Sequence, residues 1–477
     1  MTDSQRQGIL DNARYLQNVR PIDPEEICEY VEGHPHPAVV RQTLREEASE
    51  LSLLEREDGT FVPAPEGTAE VSFDGVEQFP ESYAHVLEDM LVAEYGAGWP
   101  DGESGDRLRA RIRDLKDRYL QRESVEYDHQ TALCYALYHL PAYYATVQYI
   151  LADLITDGLV PASPTILDVG AGVGGPALGI ADLFGEGALV TYDAVEPSAA
   201  TDVLDRFLDE TGRNFHPTVH QTTAEEFVPE RTYDLVLFSN VLSELAAPAT
   251  VVERYADAVA EDGSIVAIEP ADRNTATGLR ETERTVEREA GLTVYEPTVR
   301  LWSGETPTSE SWSFTTRPDL AVPPFQRRLD EGERSSPIES EERERGDGEF
   351  VNVDVQYAYG VWRHATETRI AYRPDPNQVA KMANADDYVT DRVNLAAIKL
   401  SDNLADDDAN PLYLIGDGSQ RKDHYAVHTG ESALNHSLAR AGYGEALRFE
   451  NALVLWNDDE GAYNVVVDTE TVVDRVG

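Results

Sequence analysis

The sequence predicts an α/β protein: a doubly wound, parallel sheet with a helical, winged-helix-like unit before it and an OB-like β-barrel after it. Three observations carry this. Short apolar strands alternate with helical stretches from Thr165 onward. A glycine run, "ILDVGAGVGG" at 166–175, follows directly on the first of those strands. The segment 375–477 reads as three strands, a helix and further strands, which is the order of an OB barrel.

Four segments follow from these patterns. Residues 1–66 form the first. There "DPEEICEYVEG" opens on an Asp cap with Pro next, and "PAVVRQTLREEASELSLLE" continues as a further helical stretch. "LLEREDGTFVPA" then reads as a hairpin turning at Asp58-Gly59. Helices followed by a hairpin suggest a winged helix, a module that contacts nucleic acid or docks on protein. Residues 67–157 form a helical region, including "YALYHLPAYYATVQYILADL", where Pro141 should start or kink a helix. The aromatic stripe in it reads as core.

Residues 158–370 form the α/β unit. "TILDV", "LVTYDAVE", "YDLVLFS" and "SIVAIEP" are its strands. "SWSFTTR" and "VQYAYGVWRH" are further strands expected at the sheet edge. Between them "RRLDEGERSSPIESEERERGDGE" shows no core pattern and reads as a mobile loop. Residues 375–477 form the barrel, with "ESALNHSLARA" as its helix. Such barrels often bind single-stranded nucleic acid.

Composition sets the chemical background. The chain has 477 residues, with 39 basic against 89 acidic side chains and a net charge of −50. Lysine occurs only at 116, 381, 399 and 422. A dispersed acidic coat with scarce lysine suits an extremely saline cytoplasm. In ~1 M salt the Debye length is ~3 Å, so this acidity does not exclude a nucleic-acid partner. The two cysteines, Cys28 and Cys134, give neither a disulfide framework nor a thiolate metal site. "HPHP" at 34–37 and "DHYAVH" at 423–428 lack metal-ligand spacing, so no metal is expected. No signal pattern and no apolar run of ~18–20 residues is present, so a soluble, cytoplasmic protein without a membrane partner is expected.

The glycine run carries the chemistry. Gly170, Gly172 and Gly175 fit G-x-G-x-x-G, a turn that lets a ligand approach the backbone between a strand and a helix. Dinucleotides and S-adenosylmethionine both use it. Asp168 stands two residues before the first glycine, where a carboxylate would repel a pyrophosphate. It suits a ligand with an ammonium and a sulfonium and no phosphate. Glu196, in "AVEPS", ends the next strand and can accept both ribose hydroxyls, with Asp193 as the fallback. Glu225, in "TTAEEF", falls where an adenine edge would lie. Ser239 and Asn240, in "FSNVLSEL", fall at the reacting end. The candidate cofactor contacts are therefore Asp168, Gly170, Ala171, Gly172, Gly174, Glu196, Glu225, Ser239 and Asn240.

With these motifs in place, residues 105–365 resemble a class I S-adenosylmethionine-dependent methyltransferase. "LPAYYATV" running into "ILDVGAGVGGPALGIADL", with "VLSEL", "IVAIEP" and "ESWSFTTRP", is similar to the small-ribosomal-subunit methyltransferase-like family. That family includes a mitochondrial small-subunit assembly factor and bacterial and archaeal relatives. The resemblance implies a cofactor fold and a role on the small ribosomal subunit and its rRNA. It also implies cysteines for an iron–sulfur cluster before the last strands. This sequence has Ser313 where one is expected, so no cluster is expected. The N-terminal unit and the barrel lie outside the resemblance.

No catalytic residue stands out. "SNVLSE" lacks the prolines of amino-directed nucleic-acid enzymes, neither cysteine is well placed as a nucleophile, and Glu244 reads as a surface glutamate rather than a base. Methyl transfer can run largely on alignment, so this leaves an enzyme possible. Three expectations stand: a small-subunit RNA methyltransferase, a ribosome-assembly or translation factor that keeps the fold without turnover, and a small-molecule methyltransferase.

Overall fold

Side-chain caps and prolines set where the N-terminal helices begin. The computed structural model describes residues 1–121, 125–302, 304–305, 312–335, 346–406 and 409–476. The chain forms two units. The first holds Met1–Leu237, Ala258–Gly263 and Pro318–Val355; the second holds Phe238–Asp257, Ser264–Arg317 and Gln356–Gly477.

In the first unit, α1 (Asp3–Leu16) starts on a Thr2 capping box closed by Gln5. α2 (Pro24–Tyr30) starts on Asp23 with Pro24 at its first position. α3 (Pro37–Glu46) and the short α4 (Ala48–Leu51) follow, and Ser52 at φ 51° ends the run. The expected single helix therefore breaks at Glu47, where the backbone leaves the helical region. β1 (Leu53–Glu55) and β2 (Phe61–Pro63) form an antiparallel hairpin, with Gly59 in its turn at φ 81°. Ile9, Ile27, Val40, Leu44, Leu53 and Phe61 share one core, so three helices and a wing form one module.

The wing is held by its own unit. Asn214, fully buried, donates to the carbonyls of Glu55 and Glu186 at 2.9 and 3.0 Å, and its Oδ1 accepts the Glu55 amide at 2.8 Å. Thr191 donates to Ser49 at 2.9 Å.

α5 (Glu81–Tyr95), α6 (Gly102–Gln121) and α7 (His129–Thr156) come next. Pro141 lies inside α7 and does not start a helix there. Proline costs a helix interior ~3 kcal/mol, and the packing of this almost wholly buried helix outweighs that. The main contact is with α8 (Gly175–Phe184). A Cβ at Gly179 would lie 2.4 Å from the Tyr144 carbonyl, so glycine permits the close approach.

The sheet strands follow as β3 (Thr165–Val169), β4 (Val190–Val195), β5 (Phe215–His220), β6 (Tyr233–Ser239) and β7 (Val259–Pro270). The crossovers carry α8, α9 (Thr201–Leu208) and α10 (Pro248–Ala256). The order in the first unit is β5-β4-β3-β6, and β4 is parallel to both neighbours. β6 lies beside β7 in both units: Tyr233 donates to Ala258 in the first, and Asn240 to Ile268 in the second, each at 2.8 Å.

The second unit continues with α11 (Arg273–Glu289), β8 (Thr293–Glu296), β9 (Thr315–Arg317) and β10 (Val355–Arg363). β10 was expected at the edge. It instead lies between β7 and β8, antiparallel to both, with β9 paired to it. Its eight buried residues show why, since an edge strand would leave one side open.

The charged run before β10 needs correction. α12 (Pro324–Glu331), in the first unit, takes in its start and buries Phe325, Gln326, Leu329 and Asp330. The Asp330 carboxylate accepts the Gly348 and Phe350 amides, each at 3.0 Å. Residues 336–345 of that run lie outside the described residues.

The barrel comprises β11 (Arg392–Lys399), β12 (Leu412–Gly416), β13 (His424–His428), α13 (Ser437–Arg440), β14 (Ala446–Asn457), β15 (Ala462–Val467) and β16 (Val472–Arg475). The order is β11-β12-β13-β15-β14, and β14 pairs back to β11 to close it. Only β13 and β15 run parallel. The expected helix over 431–441 shrinks to the single turn of α13. Asp417 ties the barrel to the rest of the second unit, accepting the Trp302 indole at 2.7 Å and the Met382 amide at 2.9 Å.

Asn214→Ala removes three hydrogen bonds and leaves buried backbone groups unpaired, a cost of roughly 2–4 kcal/mol. Thermal unfolding should show a clear fall in Tm. An unchanged Tm would mean that the wing is not held at this point.

Candidate cofactor site

The turn after β3 is shaped by hydrogen bonds to the end of β4. Gly170 and Ala171 donate their amides to the Val195 carbonyl at 2.8 and 3.1 Å. Gly172 donates to Glu196 Oε2 and Ser198 to Glu196 Oε1, each at 2.9 Å. Gly170, Gly172 and Gly174 stand at φ 79°, 52° and 92°, a region closed to most side chains. The space beside Gly172 is open within 4 Å, so conformation and ligand approach demand glycine there. At Gly175 a Cβ would lie 2.8 Å from Tyr143 Cβ, so this glycine serves helix packing.

Asp168 and Glu196 bracket the loop. Asp168 is fully buried; the Tyr192 hydroxyl donates to its Oδ2, and its Oδ1 has no partner among the described residues. Burial pushes its carboxyl up to about 7, against the Tyr192 hydrogen bond and helped by the nearby Glu196 charge. A buried carboxyl with an unpaired oxygen fits a cationic ligand group. Each Glu196 oxygen accepts one backbone amide and keeps a lone pair for a hydroxyl.

The structure thus brings Asp168, Gly170, Ala171, Gly172, Gly174 and Glu196 together. Glu225 sits exposed on the turn after β5, beside buried Ala224. The fallback Asp193 is held within the sheet by the Tyr233 hydroxyl at 2.9 Å and by His220 Nε2 at 3.0 Å.

Ser239 and Asn240 end β6 in the second unit. Asn240 is buried at φ 57°, and its Nδ2 donates to Ser239 Oγ at 3.1 Å. Asparagine enters this left-handed region more readily than most side chains. Beside it, Glu269 ends β7, a residue that sequence reasoning passed over. Its carboxyl is buried; Oε1 accepts the Ser243 amide at 3.2 Å, and Oε2 has no partner among the described residues. Burial pushes it up to about 8. The signal was available: a carboxylate closing the otherwise apolar "IVAIEP".

The other candidates take structural places. Glu244 is exposed on the single turn Leu242–Glu244. Burial pushes the Cys134 thiol up to about 12, which makes it a poor nucleophile. His36 caps α3 through the Ala38 amide, and His424 stacks on Tyr463. Ser313 is buried and accepts the Tyr443 hydroxyl at 3.3 Å. A serine offers an iron–sulfur cluster no thiolate. Among the described residues no group of three His, Cys, Asp or Glu could hold a metal ion, and no helix is long and apolar enough to cross a membrane.

Residues 167–265 match a family model described as a methyltransferase domain. Residues 6–57 and 383–476 match the N-terminal and C-terminal models of a domain of unknown function, DUF8157. No curated protein sequence matches the chain.

Similar solved structures include the sugar N-methyltransferase KedS8 from Streptoalloteichus sp ATCC 53650 (19% identity, 30% of this chain and 54% of that one, TM-score 0.24). Magnesium protoporphyrin IX methyltransferase (ChlM) from Synechocystis PCC 6803, with bound SAM, is another (17%, 39% and 87%, TM-score 0.27). A third is an S-adenosylmethionine-dependent methyltransferase from Clostridium acetobutylicum ATCC 824 (11%, 34% and 57%, TM-score 0.23). The chain spans about half the length of the first of these. The α/β part of the chain has the class I methyltransferase fold, and its residues 167–265 match a methyltransferase domain.

The raised carboxyls make stability pH-dependent. The folded state holds the Asp168 and Glu269 protons more tightly than the unfolded chain. Their contribution is full below about pH 4 and is lost as pH rises through about 7 and about 8. Denaturant unfolding should therefore show stability falling from about pH 5 to about pH 8. Glu269→Gln should flatten that fall by up to ~1.4 kcal/mol per pH unit. Equal slopes for both proteins would contradict this.

Proposed function

We propose that this protein binds S-adenosylmethionine and methylates RNA of the small ribosomal subunit. The observation that carries the cofactor half is the pair Asp168 and Glu196 around the glycine loop. Asp168 offers an unpaired buried oxygen to a cationic group, and Glu196 offers acceptors to a ribose diol. The Asp168 carboxyl before that turn would repel a pyrophosphate, which disfavours a dinucleotide. When bound, the cofactor supplies an electrophilic methyl group. The chain supplies the alignment through a loop fixed on strand ends by the Val195 carbonyl and the Glu196 carboxylate.

Support for an RNA substrate comes from the added modules. A closed barrel with OB strand order is a surface that a small substrate does not need. The resemblance to the small-subunit family supports the ribosome. The scaffold reading keeps one specific observation in its favour. Neither the buried Cys134 nor the exposed Glu244 is a nucleophile or base for the reaction.

Mapping methylated nucleotides in small-subunit RNA from cells lacking the gene separates these readings. The enzyme reading expects loss of methylation at one or a few positions. An unchanged map together with a subunit-assembly defect would reject it in favour of the scaffold.

A further inference from the structure

A small cavity in the second unit gathers hydrogen-bond donors and few acceptors. Arg280, Glu283 and Arg284 stand three and four residues apart on α11, so one helix face brings all three to it. Arg300 reaches it from the stretch after β8, and Gln420 from the barrel, between β12 and β13. All of these lie within the second unit. The cavity has a volume of about 20 Å³, room for one atom-sized guest.

The bonds already made decide what it can hold. Arg280 is 4% exposed. Its Nη1 donates to the buried Glu283 carboxylate at 2.5 Å and its Nη2 to the Tyr359 carbonyl, while its Nε has no partner among the described residues. Arg300 pairs with Glu287 through Nη1; its buried Nε and Nη2 have no partner among the described residues. Gln420 is buried, and its Oε1 accepts the Asp417 and Gly418 amides at 3.2 and 2.7 Å, which leaves its Nε2 as a donor. Ser313, also on the wall, accepts the Tyr443 hydroxyl at 3.3 Å and keeps its own O–H to give.

The charged lining is thus three guanidinium groups against one carboxylate, and Arg280 already holds that carboxylate. Burial pushes the Arg300 guanidinium down from its usual range; the Glu283 charge opposes this and the Arg284 charge adds to it. A buried cation crowded by a second cation is stabilised by an anion beside it. A water would fit the space, but its two lone pairs cannot meet three unspent guanidinium nitrogens. A spherical anion accepts from every side. Phosphate and sulfate are too large for about 20 Å³.

We infer that this cavity binds one monovalent anion of chloride size, which joins α11 to the barrel within the second unit. The ion accepts from Arg280 and Arg300 on one side and from Gln420 on the other. It adjoins the tie made by Asp417, whose amide Gln420 holds. The site is independent of methyl transfer and makes the attachment of the barrel respond to chloride.

The test follows thermal unfolding of the full-length protein while potassium chloride replaces potassium gluconate at fixed ionic strength, gluconate being too large for the cavity. Tm should rise with chloride and level off as for a single site. Arg284→Gln, at a half-buried position, should raise the half-saturating chloride concentration roughly tenfold or more. General salt effects act alike on both proteins, so the difference between them reads the site. Identical chloride dependence in the two proteins would overturn the inference. Crystals of the wild type grown in potassium bromide cover the case in which the variant fails to fold. An anomalous-scattering peak between Arg280 and Arg300 supports the site; bromide confined to other places, with a water in the cavity, overturns it.

Discussion

The Val195 carbonyl and the Glu196 carboxylate at the end of β4 fix the backbone of the turn after β3. Four amides, of Gly170, Ala171, Gly172 and Ser198, are spent on these two residues. The turn can meet them only with left-handed conformations at 170, 172 and 174, and so only with glycine. From that turn α8 leaves the sheet, and its first residue must be glycine again because Tyr143 of α7 lies against it. Cofactor loop, sheet and covering helix are thus one geometric problem with one solution. It leaves Asp168 buried with an oxygen unspent, which is where chemistry enters.

Much of this was legible in the sequence. Asp168, the glycines and Glu196 stand at strand ends, and strand ends follow from apolar runs closed by polar residues. The barrel was legible because its strands alternate and its turns are marked. Other features were hidden for physical reasons. The place of β10 depends on a long-range antiparallel pairing that no local pattern encodes. Pro141 reads as a break, but tertiary packing overrides local cost. α12 hides because only Phe325 and Leu329 anchor it within a charged run. α1 was announced by Thr2 and Gln5, a capping box that was readable and passed over.

The accessory parts take on different roles. A free wing could reach nucleic acid, but here Glu55 of the wing is bound on both backbone sides by Asn214. The wing therefore serves to dock the N-terminal module within its own unit.

The central claim is that Asp168 meets a cation in this loop. Isothermal calorimetry with S-adenosylmethionine near pH 7, in buffers of different ionisation enthalpy, tests it most directly. Asp168 is held up to about 7, so a cation beside it should expel a proton on binding. The measured heat should then change with the buffer, and Asp168→Asn should bind more weakly and lose that dependence. No heat from folded protein, or binding that Asp168→Asn leaves unchanged, would contradict the account.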